Sequence, residues 1–294
     1  MPFIKKLRRN GNVYYYLEHS VRDGDNVYKK RKYLGKRIPE EIARIKTEFV
    51  ESVYEEQWYA KFEEIKVCYG KAIRKTPQTV RAKNTEAFMV RFTYDTQRIE
   101  GSKLSLQDTS NLLTRKVAPK NGSLDDIKEA EAHKKVFYSM LSEKKELSLG
   151  LVLSWHSRLF DETKPDVAGK IRDYPVIISG SEFIPPKANR IPELLEEFFD
   201  WYSEARKESN PIKLAALVHL KFVTIHPFGD GNGRISRLMM NFVLNRHGYP
   251  MLDIKYTSRK DYYVALREAQ LGKDENEFLV WLFRRYIQEN EMYL

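Results

Sequence analysis

Apolar residues return every three or four positions over most of the chain. Downstream of Pro39 they fall at Ile42, Ile45, Phe49 and Val53, then at Trp58, Phe62, Ile65 and Tyr69. A helix turns once per about 3.6 residues, so such steps place the apolar side chains on one face. The same rhythm predicts helices over 79–100, 105–115, 123–142, 148–161, 191–207, 211–225, 233–246, 259–270 and 274–290. Two stretches break it. Near the N-terminus "FIKKLRR", "VYYYLEHSV" and "NVYKKRKYL" are joined by Asn10-Gly11 and Asp23-Gly24, pairs that suit tight turns, and predict a three-stranded antiparallel meander. Between 174 and 186, "YPVIISGSEFIPP" sets two apolar runs around a Ser-Gly-Ser turn and ends on two prolines, the pattern of a β-hairpin with an open edge. The expected fold is mainly α: a basic β module at 1–37, linking amphipathic helices at 38–84, and a helical body at 85–294 interrupted by one hairpin.

Charge sharpens the division. Residues 1–37 hold eleven Lys and Arg against three acids, whereas the chain as a whole carries a net charge of +10, so the remainder is nearly neutral. Basic strands with interleaved tyrosines suit a nucleic-acid backbone and its bases; a solvated sheet that packs its aromatic side inward is the plainer alternative. With 294 residues and 42% apolar content the chain can bury a sizeable core. Its longest apolar runs, such as "FLVWLF", are far shorter than the roughly 18–20 residues that span a bilayer, and "MPFIKKLRRN" lacks the apolar centre of a signal peptide. These features predict a cytoplasmic protein without a membrane partner. The single cysteine, Cys68, fits a reducing compartment and a small core position.

The densest chemistry lies at 226–237, "HPFGDGNGRISR", between two helical patterns. Gly231-Asn232-Gly233 precede the second helix, where backbone N–H groups freed of side-chain bulk point outward from a positive helix end and form an anion-binding nest. Arg234 and Arg237 stand three apart and share a helical face, as two guanidinium forks gripping a polyphosphate must. Asp230 can share Mg²⁺ with the same phosphates, and His226 has the ordinary pKa of a general base near neutrality. Competing motifs fail on their own terms. No Gly-Lys-Ser/Thr follows for a P-loop, a helix rather than a strand precedes, and an EF-hand would place Arg234 fifth and Asn241 twelfth. His219 and His226 lie about 10 Å apart along a helix, too far to share a metal. His19, His133, His156, His219 and His247 are expected to be structural or surface groups.

"HPFGDGNGR" followed by Arg237 resembles the signature of Fic-domain proteins, with supporting similarity over roughly 85–285 in "WHSRLF", "GKIRDYPVIISGSEFIPP" and "RKDYYVALREA". The resemblance implies a helical bundle with a hairpin flap that transfers AMP from ATP, with Mg²⁺, to a hydroxyl side chain of a target protein. It implies His226 as general base and Asp230 as metal ligand. The run Gly231, Asn232, Gly233, Arg234, Ile235, Ser236 and Arg237 would hold the phosphates, with Phe228 as a buried anchor. Val176, Ile177, Ile178 and Ser179 would line the nucleotide and align the target backbone; Tyr262, Tyr263 and Gln270 would border the adenine. The family branch that phosphorylates its target carries lysine where this chain has Gly233, which favours nucleotidyl over phosphoryl transfer, with UMP or phosphocholine transfer as variants of the same site.

A second segment, "DTQRIEGSKLSL", resembles the inhibitory helix of autoinhibited members: Thr96, three residues, then Glu100 and Gly101. Thr96 and Glu100 share a helical face, and Gly101 ends the helix beside the carboxylate. The resemblance implies that Glu100 pairs with Arg237 in the place of the γ-phosphate. Self-modification and a homodimer are further expectations. The contrasting class is a nucleic-acid-associated regulator in which 1–37 binds the nucleic acid and the body senses a nucleotide.

Overall fold

A computed structural model describes residues 2–23, 26–119, 122–272 and 274–294. Two compact units emerge, Met1–Glu64 and Ile65–Leu294. In the first, β1 (Phe3–Arg9), β2 (Asn12–Asp23) and β3 (Asn26–Gly35) form an antiparallel sheet in sequence order. Asn10 and Gly11 take φ of 50° and 75°, the left-handed pair that a two-residue turn requires. The Asp23-Gly24 turn lies outside the described residues. Pairing Phe3 with Glu18 and Tyr16 with Tyr33 fixes the register. That register turns Leu17, flanked by Ile4 and Leu34, onto Phe49 and Val53 of α1 (Ile42–Tyr54), with Ile42 and Ile45 closing the core. The 3–4 periodicity beyond Pro39 is thus the sheet's own lid.

A π-helical turn at Glu55–Tyr59 leads into α2 (Ala60–Lys75), where Cys68, expected in the core, is only half-buried. The second unit is helical: α3 (Gln78–Ile99), α4 (Leu106–Arg115), α5 (Leu124–Ser142), α6 (Leu149–Phe160), α7 (Ile191–Glu208), α8 (Pro211–Ile225), α9 (Asn232–Arg246), α10 (Arg259–Gly272) and α11 (Glu275–Glu289). Local chemistry sets the boundaries. Ser105/Asp108 and Ser123/Asp126 make capping boxes for α4 and α5, and Asn210 caps α8 ahead of Pro211. Helix α8 is apolar on every side and packs lengthwise on α9, so this pair forms the unit's centre. No helix among the described residues is long and apolar enough to cross a membrane.

The segment 174–186 departs from expectation. It runs extended and turns where the Ser181 N–H donates to Ile178 O at 3.1 Å, yet it forms no strand ladder. Pro175, Pro185 and Pro186 remove ladder donors. The stem is closed instead by one buried side chain: Arg172 donates to Tyr174 O at 2.9 Å and to Pro186 O at 2.7 Å, one carbonyl from each limb.

Candidate functional site

The glycine loop hangs between the central helices. Helix α8 ends on His226, a non-glycine residue at φ 53° and ψ 57°, a left-handed conformation that costs energy and turns the chain sharply out of the helix. The same turn aims the imidazole into a cavity of about 540 Å³ lined also by Ile99, Glu100, Gly229–Gly233 and Arg237. Nδ1 donates to Val223 O at 3.2 Å, which leaves Nε2 as the lone-pair nitrogen. Burial lowers the imidazole pKa, Arg172 adds to that, and the Val223 bond with the charges of Glu100 and Asp230 works against it.

Three groups hold the loop in place: Asn232, which the sequence reading assigned to the phosphates, and Arg172 and His156, to which it assigned no site role. Arg172 donates to His226 O at 2.8 Å, so the guanidinium that closes the 174–186 stem also fixes the turn. His156 stacks on Phe228 at 3.7 Å between centroids, accepts from Gly169 N at 2.8 Å and donates to Asp230 O at 3.0 Å. Burial holds it neutral, with a pKa of about 4. Asn232 bonds both the N–H and the carbonyl of Phe228 through its side chain at 2.9 Å, so its side-chain amide serves the loop itself. The first helical bond of α9 is Ile235 N to Gly231 O at 2.9 Å, so the backbone N–H groups of Asn232, Gly233 and Arg234 have no helical acceptor, and Asn232 and Gly233 line the cavity. Gly231 takes φ 79°, and a Cβ there would overlap the Phe160 ring. Ile235 and Ser236, expected at the nucleotide, are fully buried, and the Ser236 hydroxyl bonds Gly233 O at 2.9 Å; they back the loop from inside α9.

The two arginines separate. Arg237 is buried and donates to Thr96 Oγ1 at 2.7 Å, to Tyr262 Oη at 3.3 Å and to Glu100 Oε1 at 2.5 Å. The predicted Thr96, Glu100 and Arg237 therefore meet. Against burial, the charge of Glu100 raises the guanidinium pKa further. The carboxylate lies so close to Gly233 that a Cβ there would strike it. Arg234 turns the other way, into a second basin of about 560 Å³. It pairs with Glu129, with Asp230 at 3.1 Å, and donates to Gln97 Oε1 at 3.2 Å. Lys164 Nζ bridges Glu129 at 2.6 Å and Asp230 at 2.7 Å. Burial alone would raise the Asp230 carboxyl; the charges of Arg234 and Lys164 hold it at about 2. Asp230, Glu100 and Gly101 lie along this second basin, and the first two border both. Among the described residues no cluster of three or more His, Cys, Asp or Glu side chains could hold a metal alone.

On the far wall Ile177, Ile178 and Ser179 line the cavity, whereas Val176 is half-buried outside its lining. Tyr262, Tyr263 and Gln270 line it too. Tyr262 is fully buried, its hydroxyl between Arg237 and His219 Nε2 at 3.0 Å; Tyr263 donates to Ile99 O at 3.1 Å, and Gln270 to Thr224 Oγ1 at 3.2 Å. An aromatic and aliphatic wall, a helix N-terminus with N–H groups free of helical acceptors and the His226 imidazole thus border one cleft.

Residues 146–244 match the model described as Fic/DOC family. Protein adenylyltransferase Fic of Drosophila willistoni is 34% identical over 205 residues, covering 68% of this chain and 41% of that protein. Its namesake in Drosophila mojavensis is 31% identical over 265 residues, covering 87% and 52%. The chain therefore spans about half the length of these curated relatives, or less. Among solved structures, Fic-1 from C. elegans gives a TM-score of 0.71 at 26% identity over 86% of this chain and 74% of that one. A Fic domain containing signaling protein from Bacteroides thetaiotaomicron shares the fold, with a TM-score of 0.72 at 24% identity over 79% and 95%. The chain carries a Fic domain, built around the loop between α8 and α9.

Proposed function

We propose that this chain is a protein adenylyltransferase that moves AMP from ATP to a Ser, Thr or Tyr hydroxyl of a target protein, and that Glu100 holds it at rest. One juxtaposition carries the reading: His226, with its Nε2 lone pair, and Asn232 and Gly233, whose backbone N–H groups have no helical acceptor, line the same cavity. The hydroxyl oxygen bonds to the α-phosphorus, the bond from that phosphorus to pyrophosphate breaks, and the hydroxyl proton passes to His226 Nε2. Charge building on the phosphate oxygens falls on the N–H groups of Asn232, Gly233 and Arg234, donors that need no rearrangement as the reaction proceeds. Asp230 suits Mg²⁺: its carboxyl stays ionised, and an ammonium already rests 2.7 Å from it. It would hold the ion, which neutralises phosphate charge when bound, with phosphate and water oxygens completing the set. Arg237 is the donor for the outermost phosphate, and Glu100 occupies it. The target's backbone docks along 174–186 by strand addition, where ladder groups stand unpaired. Another copy of the chain qualifies as a target.

ATP labelled at the α- or the γ-position, with Mg²⁺ and a cell lysate, tests this. The α-label is expected in protein and the γ-label is not. Incorporation of the γ-label, or of neither label by Glu100→Gly, rejects the proposal.

A further inference from the structure

The registers of the N-terminal sheet sort its side chains cleanly. Ile4, Leu17 and Leu34 face α1, so the residues between them face outward: Phe3, Lys5 and Leu7 on β1, Tyr14, Tyr16 and Glu18 on β2, Lys29, Arg31 and Tyr33 on β3. Three tyrosines gather at one end of this face. Tyr33 lies 5.2 Å from Tyr16 and 6.3 Å from Tyr14 between ring centroids, and Tyr33 is 55% exposed. Beside them three cations converge on one acid: Arg31 at 2.6 Å, Lys29 at 2.9 Å and Lys5 at 3.3 Å from the Glu18 carboxylate. Glu18 is wholly buried, and Lys29 and Arg31 keep about half their side-chain surface in water. One carboxylate cancels one charge of three. The remainder is held at fixed positions beside a ring platform, on a segment with eleven basic residues and three acidic ones.

We infer that this outer face binds single-stranded nucleic acid, with bases stacked on Tyr33, Tyr16 and Tyr14 and phosphates on Lys5, Lys29 and Arg31. Like charges crowded together on a surface repel unless an anion joins them, which calls for a polyanion. The exposed Tyr33 ring, with the half-buried Tyr16 and Tyr14 beside it, calls for flat partners, which unpaired bases present and a duplex does not. Sugar-phosphate repeats supply both at once. The binding is independent of the chemistry at His226, so it stands or falls apart from the transferase reading.

The test is fluorescence anisotropy of the full chain with a labelled mixed-sequence oligonucleotide, single-stranded or annealed, at low and high salt. Three phosphate contacts at a slope of about 0.7 each predict that single-strand affinity falls roughly 20-fold between about 50 and 200 mM salt. Tyr33→Ala, an exposed position, is expected to weaken binding about 5- to 150-fold, and Tyr33→Phe to restore it. Arg31→Gln should flatten the salt slope by about one contact. Lys145→Ala, an exposed cation on the other unit, should change nothing. No binding, binding indifferent to Tyr33→Ala, or tighter binding to the duplex overturns the inference. So does attachment to phosphatidylserine vesicles without affinity for the oligonucleotide.

Discussion

The two walls of the cleft are built on opposite principles. On the loop side most polar side chains are already engaged: Arg237 is 1% exposed with Thr96, Tyr262 and Glu100 on it, and Asn232 and His156 bond the loop's own backbone. On the 174–186 side Ile177 and Ile184 stand 94% and 84% exposed, no ladder pairs the backbone, and one guanidinium holds both limbs. A site that must stabilise developing charge gains from donors fixed in advance, because reorganising them would cost part of what they contribute. A site that must accept a polypeptide gains from unpaired backbone groups. On the proposed function the contrast divides the labour: the loop would decide the chemistry, and the extended segment what receives it.

The largest effect belongs to the loop side. His226→Ala keeps a Cβ on the same left-handed backbone and leaves Arg172 its carbonyl. Transfer should fall by about 10²- to 10⁴-fold, the usual contribution of a general base, while ATP affinity measured by calorimetry stays within twofold. Equal losses in both would mean that the residue shapes the site without moving a proton. Burial lowers the His226 pKa from 6.5, so the imidazole holds its lone pair to lower pH than a free one does. The acid limb of kcat/KM, which reports the free enzyme, is therefore expected below 6.5; a limb above it would contradict the burial seen here.

Next in size is the lock. Glu100→Gly removes the charged acceptor of a buried guanidinium, worth about 1.5–3 kcal/mol, or roughly a 10- to 150-fold change in an equilibrium. Two readouts should move in opposite directions. Transfer rises by up to that factor as Arg237 becomes free for phosphate, and the thermal midpoint without nucleotide drops because Arg237 has lost its counter-charge. Added ATP should recover the midpoint. A variant that loses stability without gaining activity would make Glu100 a structural acid.

The same contrast explains what was legible in the sequence. Helices could be read because steps of three and four act locally, and the caps that the structure shows at Ser105, Ser123 and Asn210 likewise lie within a turn of the residues they control. The glycine loop was legible because its chemistry is concentrated in twelve consecutive residues. Glu129, Lys164, His156 and Arg172 act through tertiary contacts: Glu129 meets Arg234 across 105 positions, and His156 meets Asp230 across 74. No local pattern announces such pairs, and each residue type is ordinary on a helix or loop. The run over 174–186 misled in one respect, since β-branched residues favour extended backbone but cannot supply the donors that three prolines remove. Ile235 and Ser236 entered the expected binding run by adjacency, whereas helical geometry turns them inward from the residues on either side.

The smallest effect lies on the other wall and probes the division most sharply. Ile177 is almost wholly solvent-exposed although it borders the cavity, so truncating it removes little buried surface. Ile177→Ala should leave stability within about 0.5 kcal/mol, as surface changes do, and should leave ATP affinity unchanged because the fixed donors lie on the loop. What it should alter is KM for the protein acceptor, by a few-fold, since an exposed isoleucine on an unpaired strand is the side chain that an incoming strand would cover. If instead ATP binding weakens and acceptor KM holds, the extended segment serves the nucleotide, and the two walls share one task.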